Sequence, residues 1–242
     1  MSYLVDGYHS DSAALAPPSE RVQFIRRTYL HVAGAVVAFV GASALLISTG
    51  LSEQILFNVF LANRLAWLLL MVLFIGGTFA AQSMAQARRS VGVQYAGLAL
   101  YVSLYTLLFV PILTIASLPK YGGSPDLPIQ AGIVTLAVFG GLTLAVFVTG
   151  KDFSFLGPIL MVCSFLALGV ILAAVLFGFN LGLIFCALMV ALFAGYIIYD
   201  TSNIIHRYRT DEHVAASMAL FGSAAMLFYY ILLLFMSARD ER

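Results

Sequence analysis

Charge is scarce in this sequence. Asp, Glu, Lys and Arg make up 10% of its 242 residues, against about 25% in an average soluble domain. A globule of this size with so few charges could not clothe its own surface, which excludes a soluble protein. The net charge is +1 and no basic cluster offers a phosphate-tracking surface, so nucleic acid is not an expected partner. Only Lys120 and Lys151 are lysines, both between apolar stretches, which excludes a retinal Schiff base inside a bundle. Cysteine is almost missing. Cys163 and Cys186 lie in separate apolar stretches without the close pairing of a metal or redox motif, and both read as small core residues. No basic start followed by an apolar run opens the chain, so residues 1–20, with their acids, serines and Pro17-Pro18, read as a polar, disordered cytoplasmic tail rather than a signal peptide.

What is there is apolar: 62% of the residues are hydrophobic. A span needs roughly 17–25 predominantly apolar residues to cross the hydrocarbon core. Seven stretches qualify: Tyr29–Thr49, Leu65–Ala81, Val91–Leu118, Ile129–Thr149, Phe153–Phe177, Leu181–Tyr199 and Val214–Met236. The expected fold is therefore an all-α integral membrane protein, a seven-helix bundle over 21–242, with the lipid bilayer as its first partner. Basic residues on alternate sides number eight (Arg21, Arg26, Arg27, Arg88, Arg89, Lys151, Arg207, Arg209) against four (Arg64, Lys120, Arg239, Arg242). That bias places the N-terminus in the cytoplasm and the C-terminus outside. The loop Pro119–Pro128 is rich in proline and glycine and reads as non-helical, and Pro111 is expected to kink the third span. Small residues recur at Ala38 and Ala42, Gly76-Gly77, Gly140-Gly141 and Gly222 with Ala224 and Ala225, which is expected of close helix packing.

Asp200 is the only carboxylate that any span reaches. An acid in such a place costs roughly 2.5–3.5 kcal/mol at mid-bilayer, less near the interface, and is a functional candidate by default. If the sixth span continues helically to His206, then Asp200, Asn203, Ile204 and Arg207 share a face, giving the acid an amide and a cation as neighbours. Arg88, on the same side at the end of span two, is the second candidate partner. The bland alternative is an interfacial acid that reaches water and helps end its helix. His31, His206 and His213 do not have helical metal-pair spacing, and the two that flank the loop Arg207–Glu212 read as solvated. A serine hydrolase built on Ser223 lacks a base within reach, since His206 is expected at the cytoplasmic end, ~15 Å from a serine about ten residues deep in the last helix, and His31 would have to meet that helix at the right depth.

Three runs carry a resemblance: Lys151-Asp152-Phe153-Ser154-Phe155-Leu156, Tyr199-Asp200-Thr201-Ser202-Asn203-Ile204-Ile205-His206, and Val110-Pro111-Ile112-Leu113. Together they resemble the Bax inhibitor-1 (transmembrane Bax inhibitor motif) family over roughly Arg21 to Ala238, most closely its bacterial YccA-type branch. The resemblance implies a bacterial inner-membrane protein, a non-enzymatic seven-helix bundle built around a central last helix. In part of the family it also implies a pH-sensitive calcium leak. There an acid ending span six pairs with a second acid in span seven, and an arginine ending span two latches the closed form. Asp200 matches the first acid and Arg88 the arginine, while Ser223 stands where the second acid would be. Two carboxylates in one site share a proton, and calcium prefers several oxygens including more than one carboxylate. With Ser223 present, Asp200 is only a weak calcium candidate. For the branch with serine there, the resemblance implies regulation of a membrane-bound ATP-dependent protease of the FtsH type, with calcium as a transported ion in the alternative leak reading.

Overall fold

The computed structural model describes residues 13–61, 64–87 and 90–240. Seven long helices carry the chain: α1 Pro18–Ser48, α2 Arg64–Ala85, α3 Val91–Ser117, α4 Asp126–Thr149, α5 Leu156–Phe177, α6 Gly182–His206 and α7 His213–Asp240. A short helix Leu51–Ile55 that widens into a π-turn Leu56–Phe60 joins α1 to α2, and a 3-10 turn Pro119–Tyr121 follows α3. Uniform apolarity selects helix here because, without water, each backbone N–H and C=O must be satisfied inside its own segment. Threonines fit this scheme by donating to the carbonyl one turn back, as Thr28 does to Phe24, Thr106 to Val102 and Thr114 to Val110.

Among the described residues, six helices are long and apolar enough to cross a membrane, namely α1 and α3 to α7. Of α2, Arg64–Ala85, the apolar part among the described side chains is Leu69–Ala85, so α2 is not counted with them. The expected count of seven spans is therefore met at six. Several expected boundaries also move. α1 begins at Pro18, with the ring in the first turn, where its missing N–H is one that no helix could satisfy. The expected tail is described only from Ala13, which is fully buried and donates its N–H to the Tyr208 carbonyl at 2.8 Å; residues 1–12 lie outside the described residues. The loop expected through Pro128 ends earlier, because α4 starts at Asp126 and Pro128 falls in its first turn. α3 runs unbroken through Pro111. Gly150 and Gly178 cap α4 and α5 with positive φ of 59° and 75°, a conformation that glycine adopts without steric cost.

α7 is the hub. It packs against α6, α1, α4 and α3 and touches α2, whereas α5 packs mainly on α6 at the edge of the bundle. In the most apolar stretch of α7, 56% of residues are buried, against 6% in α5. That edge position corrects the expectation for Cys163, which lies exposed on α5, while Cys186 of α6 is buried. The core around α7 is aromatic. Phe39 of α1, Tyr101, Tyr105 and Phe109 of α3, and Phe221 and Phe228 of α7 meet edge-to-face, tilted and stacked at centroid distances of 4.8–6.5 Å. Such pairs add about 0.5–1.5 kcal/mol each beyond their buried area. Of the glycines in the small-residue patches, Gly77 and Gly222 bring a neighbour close, and nothing lies within 4 Å of a Cβ placed at Gly76, Gly140 or Gly141.

Candidate functional site between the last two helices

The carboxyl of Asp200 enters the bundle where α6 crosses α7. Asp200 is 8% exposed, and its described partner is Ser223, 7% exposed, whose Oγ donates to Oδ2 at 2.5 Å. The residue that stands where a second acid was expected therefore does face the first, as a neutral hydroxyl. One residue earlier, Gly222 lets two tyrosines of α3 lean on the bare backbone of α7. A Cβ at Gly222 would lie 2.4 Å from the Tyr101 hydroxyl oxygen and 2.9 Å from that of Tyr105. Those hydroxyls are 3.3 Å apart and share one hydrogen bond. Tyr101, Tyr105 and Gly222 are the residues sequence reasoning missed. The tyrosines of α3 drew no reading from the sequence, and Gly222 read as helix packing.

The other expected partners sit elsewhere. Asn203 is buried, with no side-chain partner for its Oδ1 among the described residues, and its backbone carbonyl accepts the N–H groups of Arg207 and Tyr208 that close the end of α6. Arg207 is exposed at the C-cap of α6, where its charge acts on Asp152 and not on the buried acid. Arg88 lies outside the described residues. Of the elements, α2 packs chiefly on α3.

Two of the three runs that carry the resemblance meet in space. In the α4–α5 loop, Phe153 donates its backbone N–H to the Ser202 Oγ at 2.8 Å, and Ser202 donates in turn to Asp152 Oδ1 at 3.5 Å. The Ser154 backbone N–H, 2.9 Å from the same oxygen, holds the Asp152 carboxyl below the usual carboxylate range, with the charges of His206 and Arg207 adding to the effect. The loop is thereby tied to the buried Thr201-Ser202-Asn203 turn of α6, next to Asp200. His206 Nδ1 lies 3.0 Å from the Ser202 carbonyl.

The two histidines expected to be solvated, His206 and His213, are partly buried, and His213 Nδ1 has no partner among the described residues. His31 of α1 has Nδ1 2.7 Å from the Arg27 carbonyl, an acceptor, so Nδ1 carries a hydrogen and donates. Its Nε2 meets the Tyr95 hydroxyl at 2.8 Å, and its ring stands 5.0 Å from that of His213. Among the described residues no group of three His, Cys, Asp or Glu could hold a metal ion. Asp200 offers one carboxylate beside a hydroxyl, too few charged oxygens for a resident calcium cage. What the arrangement can do is hold one buried acid by one hydroxyl, at the contact between the central helix and α6.

The chain matches the family described as Bax1-I, Inhibitor of apoptosis-promoting Bax1, over residues 21–240. It is similar to a BI1-like protein of Arabidopsis thaliana, 44% identical over 118 residues, 43% of this chain and 43% of the relative. Protein lifeguard 4 of Mus musculus is 35% identical over 107 residues, 44% of this chain and 45% of the relative. Bax inhibitor 1 of Schizosaccharomyces pombe is 35% identical over 109 residues, 43% of this chain and 40% of the relative. The aligned part spans less than half the length of these curated relatives. No solved structure matches.

Proposed function

The chain belongs to the Bax inhibitor-1 family, and from that membership we propose that it is a non-enzymatic membrane regulator that acts by binding a membrane-embedded protein partner. Its relatives include Bax inhibitor 1 of Schizosaccharomyces pombe and a Golgi anti-apoptotic protein of Vaccinia virus. The observation that carries the reading is the Asp200–Ser223 pair: a single carboxylate satisfied by a neutral hydroxyl is built to hold two helices together, and lacks the second charge that a calcium site wants. The bacterial inner membrane and an FtsH-type protease as partner belong to this proposal and rest on the resemblance of the two motifs alone. So do seven crossings with the N-terminus inside, which rest on the basic-residue asymmetry. A second reading, a pH-sensitive calcium or cation leak gated near Asp200, is favoured only by the burial of that acid in a bundle core. Purified protein in liposomes, followed by calcium flux across a pH series, separates the two. A flat response together with a protein that co-purifies from native membranes is expected; a flux that rises with acidity and vanishes in Asp200→Asn hands the function to the leak.

A further inference from the structure

Between α1 and α3, on the outside of the bundle, runs a groove of about 750 Å³ that plays no part in the Asp200 site. Its floor and walls are small or apolar, with Gly34, Ala38 and Ala42 on α1 and Ser103 on α3, and its one strongly polar end is His31 with Tyr95. From His31 to Leu46 the groove follows fifteen residues of α1, about 22 Å at the helical rise. A polymethylene chain is about 4–5 Å across at carbon contact distances and lies in it readily. One leaflet of hydrocarbon is about 15 Å deep, so the groove is long enough for a whole acyl chain. At its polar end basic charge prevails, since Asp211, which reaches the neighbouring His213, is itself paired with Arg209. Arg27, one helical turn beyond His31, and its neighbour Arg26 are exposed, and neither forms an ion pair among the described residues.

We propose that this groove is a binding site for an anionic phospholipid, with one acyl chain lying along Gly34, Ala38 and Ala42 and the headgroup phosphate held by Arg27 at the His31–Tyr95 end. His31 is held at that end by both ring nitrogens, Nδ1–H donating to the Arg27 carbonyl and Nε2 meeting the Tyr95 hydroxyl, and leaves the phosphate to Arg27. A Cβ at Gly34 meets nothing within 4 Å, so a larger side chain there enters the groove without disturbing the bundle.

The test uses the full-length protein in nanodiscs of phosphatidylcholine doped with phosphatidylglycerol, extracted gently and weighed by native mass spectrometry. The parent is expected to retain phosphatidylglycerol in preference to phosphatidylcholine. Arg27→Gln should reduce that preference about fivefold, the ordinary worth of one basic group beside an anionic surface. Gly34→Leu should abolish retention of either lipid while helix content and thermal midpoint stay at parental values, and Ser103→Leu, from the opposite wall, should do the same. Retention unchanged in both leucine variants overturns the site, as does a parent that keeps the two lipids equally. A mass of two chains that Gly34→Leu converts to one would overturn it too, because the occupant would then be a second copy.

Discussion

Asp200 is stabilised by one donor, which makes Ser223 the residue on which its burial depends. A buried acceptor stripped of its partner costs about 1–3 kcal/mol, more if it is charged. Ser223→Ala is therefore expected to lower the thermal midpoint in detergent, and Asp200→Asn combined with it should recover part of the loss, since the stranded charge is then gone. Equal midpoints for parent and Ser223→Ala would remove the pair from any structural role. Ser223→Asp asks the opposite question. The contact already places the two side chains at one depth, so the variant puts two carboxylates where they must share a proton. It should acquire an acid-dependent calcium permeability in liposomes that the parent lacks; a parent with the full response would mean that the hydroxyl had never mattered. Gly222 supplies a third test. A methyl there would press on the Tyr101 hydroxyl at 2.4 Å in a packed aromatic core, and Gly222→Ala should destabilise by about 1–3 kcal/mol through overpacking. The further change Tyr101→Phe should give part of that back.

At the scale of elements, the contact between the α4–α5 loop and the end of α6 is a clip made of side chains on backbone: Ser202 to the Phe153 N–H, and Asp152 to the Ser154 N–H and Ser202. Asp152 is held below the ordinary carboxylate range, so the sign of its pH effect follows. The stabilisation is complete above the unfolded carboxylate range and is lost as pH falls through the depressed value. Hydrogen exchange of the Phe153 and Ser154 amides should be slow near neutrality and quicken in Asp152→Asn, with Asp200 untouched; equal exchange in the two proteins would show that the clip does not order the loop. The sequence made both halves of this clip visible as motifs but could not bring them together, because they are about fifty residues apart and nothing in a helical period says which loop lies beside which helix end. Helix identity was legible for a simpler reason. Apolar runs of span length have no other solution in lipid, so six helices fell where the hydropathy placed them, with ends shifted by prolines that belong to first turns. Asp200 was legible as an isolated charge. Tyr101, Tyr105 and the His31–His213 contact were not, since an aromatic or a histidine looks the same in sequence whether it faces lipid, water or another ring.

For the whole molecule, contacts between chain ends and loops constrain how often the chain crosses. The Ala13 N–H bonds the Tyr208 carbonyl, so the segment before α1 and the loop after α6 lie at one end of the bundle. Glu53, before α2, pairs with Lys120, after α3, at one end as well. His31, at mid-length of α1 but near the start of its apolar stretch Tyr29–Thr49, meets Tyr95 near the start of α3. Each contact requires an even number of crossings between its partners, and each interval contains α2. If α2 failed to cross, all three contacts would have to reach through the bilayer. This parity supports α2 as a spanning helix, and its 22 residues, about 33 Å at the helical rise, are long enough for the hydrocarbon core. The basic asymmetry then orients the set. Reporter fusions after Glu53 and at Tyr121, Asn180 and Arg242 are expected outside, and those at Ser12, Ser90 and Tyr208 inside. The decisive pair is Glu53 with Ser90. Opposite sides place α2 across the membrane and the C-terminus outside, whereas one shared side would make α2 re-entrant, bring the C-terminus back to the cytoplasm, and force Ala13 and Tyr208 apart.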